Sequence, residues 1–237
     1  FEFLDEGIYD VYCFQEFFDT KRKGFAPYDS IKRITHAKYR HVEVLVEFRG
    51  NSFGIATLSQ YPIVEKGIVD FEREGTNMCI YTDIDFDGTI IRIYNMHLQS
   101  LGLGKKDMNV FQYNGESQQE KLNDAKSVLG KLKSAYSKRQ EQAENIRQHI
   151  YDCQYPVIVC GDFNDTPLSF AYQQIKGDLN DAFVESGNGF GHTYNGAFPL
   201  LRIDYMMYSN SIKNHHFEVV KKDLSDHYPL VGYFTVD

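Results

Sequence analysis

Two stretches of the chain put acids and amides where apolar runs break. Val157-Ile158-Val159-Cys160 gives way to Gly161-Asp162-Phe163-Asn164, and Leu224-Ser225-Asp226-His227 leads into a further apolar run. Side chains along a strand alternate between faces, so Asp162 and Asn164 point one way while Phe163 turns into the core. That spacing suits one phosphate or one metal-bound water. Gly, Asp and Asn also make ordinary strand-to-turn transitions, so neither stretch is decisive alone.

Other strand ends carry similar chemistry. Val11-Tyr12-Cys13-Phe14 runs into Gln15-Glu16, and Ile90-Ile91-Arg92-Ile93-Tyr94 runs into Asn95-Met96-His97. In Arg202-Ile203-Asp204-Tyr205 an acid interrupts an apolar segment. An unpaired buried carboxylate is costly, so Asp204 requires a partner.

In their order along the chain, Gln15-Glu16, Asn95-Met96-His97-Leu98, Gly161-Asp162-Phe163-Asn164, Arg202-Ile203-Asp204-Tyr205 and Ser225-Asp226-His227 resemble the endonuclease/exonuclease/phosphatase superfamily. Its members include pancreatic deoxyribonuclease, abasic-site endonucleases, neutral sphingomyelinases and inositol polyphosphate phosphatases. The resemblance spans Asp10 to Leu230. It implies a divalent-metal-dependent hydrolase that cleaves a phosphoester, most simply a phosphodiester, by in-line attack of an activated water.

The same resemblance implies roles. Glu16 is the expected main ligand of Mg²⁺ or Mn²⁺, hard cations that take oxygen donors. Asp162 would orient or deprotonate the attacking water, and Asn164 would hold that water or the phosphate. His227 would contact the scissile phosphate, with Asp204 pairing to its imidazole and fixing its tautomer or charge. Asp226 stands where a second metal-proximal or water-activating acid is expected, and His97 where a second phosphate-binding His is expected. Asn95 is a weaker candidate for phosphate contact.

The implied fold is a four-layer α/β sandwich, two packed and mainly antiparallel sheets flanked by helices. Relatives begin with an Asn-bearing strand and a helix ahead of the Glu-bearing strand. Only Phe1 to Gly7 precede Ile8-Tyr9-Asp10-Val11 here. The expectation is therefore one domain over residues 1–237, N-terminally incomplete, with its first strand missing from this chain. A secretion signal or membrane anchor in that missing segment stays open.

Composition agrees with one globular body. The chain has 237 residues, 15% of them aromatic, with 18 Phe, 17 Tyr and no Trp, which supplies ample core volume. No apolar stretch reaches the roughly 20 residues that cross a bilayer. A net charge of −8 disfavours a protein that coats nucleic acid by bulk electrostatics, because phosphate contacts draw on Lys and Arg. It does not exclude a nuclease whose acids are offset by bound cations. Cys13, Cys79, Cys153 and Cys160 show no zinc spacing.

Short runs rich in Val, Ile, Tyr and Phe read as strands at Val42 to Phe48, Phe53 to Leu58, Ile63 to Phe71, Met78 to Phe86 and Thr89 to Leu98, with Asp87-Gly88 as a hairpin tip. From Ser117 to Asp152 apolar residues recur at helical spacing, with Gly130 or Ser134 as the expected interruption. Pro167 to Ile175 reads as a short helix; Val157 to Cys160, Ile203 to Tyr208 and Tyr228 to Val236 read as strands. His36, His41, His149, His192, His215 and His216 read as surface or structural, the last two in a polar turn. Leu101 to Ser117, with Phe111 and Tyr113, is a candidate substrate-selecting border or a plain loop.

Substrate stays open among nucleic acid, a phospholipid head group and a small phosphodiester. No obligate protein partner is implied, and a monomer is expected. A noncatalytic binding module on the same scaffold is the alternative reading.

Overall fold

In the computed structural model the described residues are 4, 7, 9–21, 27–71, 77–102, 118–196 and 200–236. Most of Leu101 to Ser117, including Phe111 and Tyr113, lies outside them.

The strand-like runs assemble into two layers of sheet. One layer holds β4 (Ile63–Ile68), β5 (Met78–Phe86), β6 (Thr89–His97), β7 (Val157–Asp162), β8 (Asn180–Asp181) and β9 (Asp204–Tyr208) in the order β4-β5-β6-β7-β9-β8. Its neighbours are antiparallel except β6 and β7, which run parallel. The second layer is built from β1 (Val11–Thr20), β2 (Tyr39–Phe48) and β3 (Asn51–Ser59), in the order β1-β3-β2, and from the pair β10 (Ile212–Val219) and β11 (Leu230–Val236). Among the described residues, β1 pairs only with β3.

Period-two alternation decides which side chains meet between the layers. Ile91, Ile93 and Ile158 face inward and pack with Val11 and Cys13 of β1 and with Phe217, Leu230 and Phe234 of the β10–β11 pair. Their chain neighbours Tyr94, Met96, Val157 and Val159 face outward. There they meet Ala143, Ile146 and Ile150 of α2 (Gln118–Tyr151) and Ala171 and Ile175 of α3 (Phe170–Lys176). Each buried Ile contributes about 1.5–3 kcal/mol. On the far side of the second layer, Tyr12, Phe17, Ala56 and Leu58 pack against Ile31 of α1 (Pro27–Thr35). Helix, sheet, sheet and helix make four layers.

The 34-residue helix α2 runs through Gly130 and Ser134 without the expected interruption. One missing side chain costs a helix only about 1 kcal/mol. The Asp87-Gly88 hairpin is present, with φ of 52° and 100° at its two residues and the Asp85 carboxylate accepting the Gly88 N–H at 2.6 Å. His215 and His216 lie within β10 rather than in a turn. No helix among the described residues is long and apolar enough to cross a membrane.

α2 returns the chain so that β7 lies beside β6 in the same direction. Both strands therefore end at the same rim of the sheet. β9, antiparallel to β7, begins there.

Candidate active site

Register alone brings three of the sequence candidates side by side. His97 pairs with Asp162 across β6 and β7, and Asp162 pairs with Asp204 across β7 and β9. All three belong to the inward-facing alternation, so their side chains leave the same face at the same rim. His97, Asp162 and Asp204 are buried.

Gly161 permits this convergence. Its φ is +153°, and a Cβ there would run into the Met96 carbonyl oxygen of β6. Only glycine lets β6 and β7 approach so closely at the rim. Asn164 turns the chain immediately afterwards with φ 53°, a conformation that Asn tolerates better than most residues. From there its backbone N–H donates to Asp162 Oδ1 at 2.7 Å and its amide donates to Asp162 Oδ2 at 3.0 Å. The same amide nitrogen donates to the Leu98 carbonyl at 3.0 Å, tying the ends of β6 and β7 together.

Glu16 arrives from the second layer through a bulge. The β1–β3 register slips between Phe14 and Phe17, and Glu16 takes φ 50°, a conformation rare for its residue type. Beside it, the Gln15 amide donates to Asn95 Oδ1 at 2.6 Å, while the Asn95 amide donates to the Ala56 carbonyl at 2.9 Å. Asn95 is fully buried, and its amide is committed to joining the two sheets rather than to the rim. Glu16 is thereby aimed outward, its side chain largely exposed and Oε1 3.9 Å from His97 Nε2.

His227 completes the group from the loop before β11. Its Nδ1 lies 3.0 and 2.9 Å from the two Asp204 oxygens, leaving Nε2 3.9 Å from Asp162 Oδ2. His97 Nε2 approaches the same Asp162 oxygen at 3.7 Å. The Ser225 hydroxyl accepts the His227 N–H at 2.8 Å, and Tyr194 packs edge-on against the imidazole with ring centres 5.1 Å apart. Thr193 Oγ1 accepts the backbone N–H groups of Ile203 and Asp204. Thr193 and Tyr194 lie in a polar, glycine-rich stretch whose composition reads only as loop. Asp226 is exposed, and its carbonyl accepts the Asn195 N–H at 2.7 Å.

The charges match this crowding. Burial and the neighbouring Asp204 carboxylate push Asp162 up to about 8, against the opposing pull of His227 and the Asn164 N–H. Burial alone would lower His227, but its hydrogen bond to Asp204 and the Asp204 and Asp162 charges hold it up at about 9. Ligand atoms of Asp162, Asp204 and His227 lie within 4.8 Å of one another. With Glu16 at the rim, these acids form an oxygen-rich, like-charged cluster of the kind a hard divalent cation relieves.

The profile of the Endonuclease/Exonuclease/phosphatase family matches residues 2–227. The chain belongs to that family. Its members are generally metal-dependent phosphoester hydrolases. Among solved structures, an endonuclease/exonuclease/phosphatase from Beutenbergia cavernae DSM 12333 is similar with a TM-score of 0.68 at 17% identity, over 96% of this chain and 62% of its own. This chain thus spans less than two thirds of that protein. The human Nocturnin catalytic domain with bound sulfate aligns with a TM-score of 0.63 at 17% identity, over 96% of this chain and 81% of its own. A humanised D. rerio TDP2 aligns at 0.64 and 16% identity, over 96% and 86%. At such identities the likeness is one of fold. No curated protein matches the chain.

Proposed function

We propose that this family member is a divalent-metal-dependent phosphodiesterase acting as a single monomeric domain. The reading rests on the in-register row His97, Asp162 and Asp204, closed by His227 over Asp162. Glu16 and Asp226 are the acids assigned to Mg²⁺ or Mn²⁺, which when bound neutralises charge on the phosphoryl oxygens and the leaving group.

Asp162 is held in one rotamer by both nitrogens of Asn164, and it accepts the proton of the attacking water. Its fixed place between the two imidazoles, 3.7 Å from His97 Nε2 and 3.9 Å from His227 Nε2, suits that task, since a base must lie within reach of the proton it takes. His227, kept protonated by Asp204, directs Nε2–H towards a phosphoryl oxygen. His97 does so from the other side of Asp162. Fixed donors aimed at developing charge supply much of an enzyme's transition-state stabilisation. Asp204 takes up Nδ1 of His227, so the reactive nitrogen is always Nε2.

The net charge of −8 favours a small or lipid-linked phosphodiester over indiscriminate binding of nucleic acid. Assaying duplex DNA, sphingomyelin vesicles and phosphoinositides with Mg²⁺ separates these substrates. Mg²⁺-dependent turnover of one of them is expected. Absence of turnover on all three and on bis(p-nitrophenyl) phosphate contradicts the reading.

A further inference from the structure

Among the described residues the largest fully buried side chain is a cation that takes no direct part in the rim. Arg139, on α2, is 1% exposed, whereas none of the other described charged residues of that helix is buried. Its Nη1 donates to the Gln99 carbonyl at 2.7 Å, and its Nε lies 2.9 Å from Asp165 Oδ2. Its guanidinium sits over the Tyr136 ring at 4.6 Å.

Those two anchors lie just past the two strand ends that carry the site. Gln99 is two positions beyond His97, and Asp165 is next to Asn164. Gln142, one turn further along α2, accepts the Gln99 N–H at 3.0 Å, and the Asn77 amide donates to Gln99 Oε1 at 2.7 Å. Gln99 is therefore fixed at its N–H, its carbonyl and its side chain. The Tyr205 hydroxyl donates to the Asp165 carbonyl at 2.8 Å, holding the other loop.

A buried ion pair is a poor source of stability, because desolvation offsets its Coulomb attraction and apolar residues of similar volume often serve as well. Geometry is what the guanidinium adds here, since one N–H is hydrogen-bonded to the Gln99 carbonyl while Nε is ion-paired with Asp165 without a hydrogen bond, so one planar cation holds both loops. We infer that Arg139 is a positioning residue, clamping the loops after β6 and β7 from the helical side so that His97 and Asn164 keep their places around Asp162. The inference rests on the phosphodiesterase reading for its kinetic consequence, but not for its structural one.

Arg139→Met with Asp165→Leu removes the pair without leaving a buried charge. Hydrolysis of bis(p-nitrophenyl) phosphate with Mg²⁺ and the ring signals of His97 by NMR are the two readouts. In the folded double variant, kcat falls about 10- to 100-fold, as small displacements of reacting groups do. KM changes less than twofold, and the His97 signals shift while those of the remote His41 do not. Arg139→Lys, which keeps the charge but not the fork, loses several-fold in kcat and decides the question by the same readouts if the double variant does not fold. Added to His97→Ala, Arg139→Lys costs less than it does alone, because the part of its effect that runs through His97 is already gone, a non-additivity that general loosening of the fold does not produce. Unchanged kcat with unmoved His97 signals overturns the clamp. A wild type inactive on every phosphodiester defeats the functional reading instead, and the His97 signals still decide the clamp.

Discussion

The imidazole Nδ1 of His227 lies within 3.0 Å of both carboxylate oxygens of Asp204, although one residue opens β9 and the other sits in the loop before β11, 23 positions further along the chain. Asp204 thus finds the partner that an acid inside an apolar segment demands. In Asp204→Asn the hydrogen bond and charge of Asp204 are lost, leaving only the weaker pulls of Asp162 and Asp226 against the lowering effect of burial on the His227 pKa. NMR titration of the metal-free protein should place it well below its wild-type value of about 9. Turnover should fall about 10²- to 10³-fold, the range of a lost donor to developing negative charge.

The same pair sets a pH window for stability. A His whose folded pKa is raised adds stability that is complete below the unfolded value of about 6.5 and disappears as pH rises through the folded value. With a folded value of about 9, the melting-temperature advantage of wild type over His227→Gln should shrink between pH 6.5 and 9.5. A constant difference across that range contradicts the assignment.

His41 predicts the opposite slope. It is fully buried, with Nδ1 2.9 Å from the Thr82 hydroxyl and Nε2 3.2 Å from Glu43. Burial lowers its pKa, only partly opposed by Glu43. Below about pH 6.5 the unfolded chain takes up a proton that the folded one refuses, so stability falls with pH. Thermal melts from pH 7.5 to 5 should show the gap between wild type and His41→Asn narrowing as the solution becomes more acidic.

Gly161→Ala probes the rim itself. The added Cβ meets the Met96 carbonyl, and the φ of +153° is foreign to alanine. A loss of about 1–3 kcal/mol is expected from the backbone conformation alone, read by denaturant unfolding. A neutral effect contradicts the close approach of β6 and β7.

Glu16→Gln separates metal binding from folding. Glu16 is exposed at the rim, so its substitution should leave the free energy of unfolding within about 0.5 kcal/mol of wild type. Calorimetric titration should show weaker Mg²⁺ or Mn²⁺ binding. Unaltered binding removes Glu16 from the ligand set.

Much of this arrangement was legible from patterning. Alternation along Cys160 to Asn164 placed Phe163 in the core, where it is fully buried, and Asp162 on the opposite face. Helical periodicity located α2 to within a residue of its ends. Strand β10 was hidden because its polar Lys213-Asn214-His215-His216 stretch buries only Ile212 and Phe217 within the strand, and a register slip between Asn214 and His216 breaks its alternation. The bulge that turns Glu16 outward has no glycine to announce it. Arg139 resembles every other charge on α2 until tertiary structure buries it. Spacing along the chain could not reveal that Asp162 sits in register between His97 and Asp204, because strand order is set by the crossover through α2 and by the return of β9.

The most direct test is the rate of bis(p-nitrophenyl) phosphate hydrolysis with Mg²⁺, compared among wild type, wild type with EDTA, and Asp162→Ala of unchanged circular dichroism. Turnover confined to wild type with free Mg²⁺ is predicted. Near-normal turnover by folded Asp162→Ala, or by wild type in EDTA, contradicts the account.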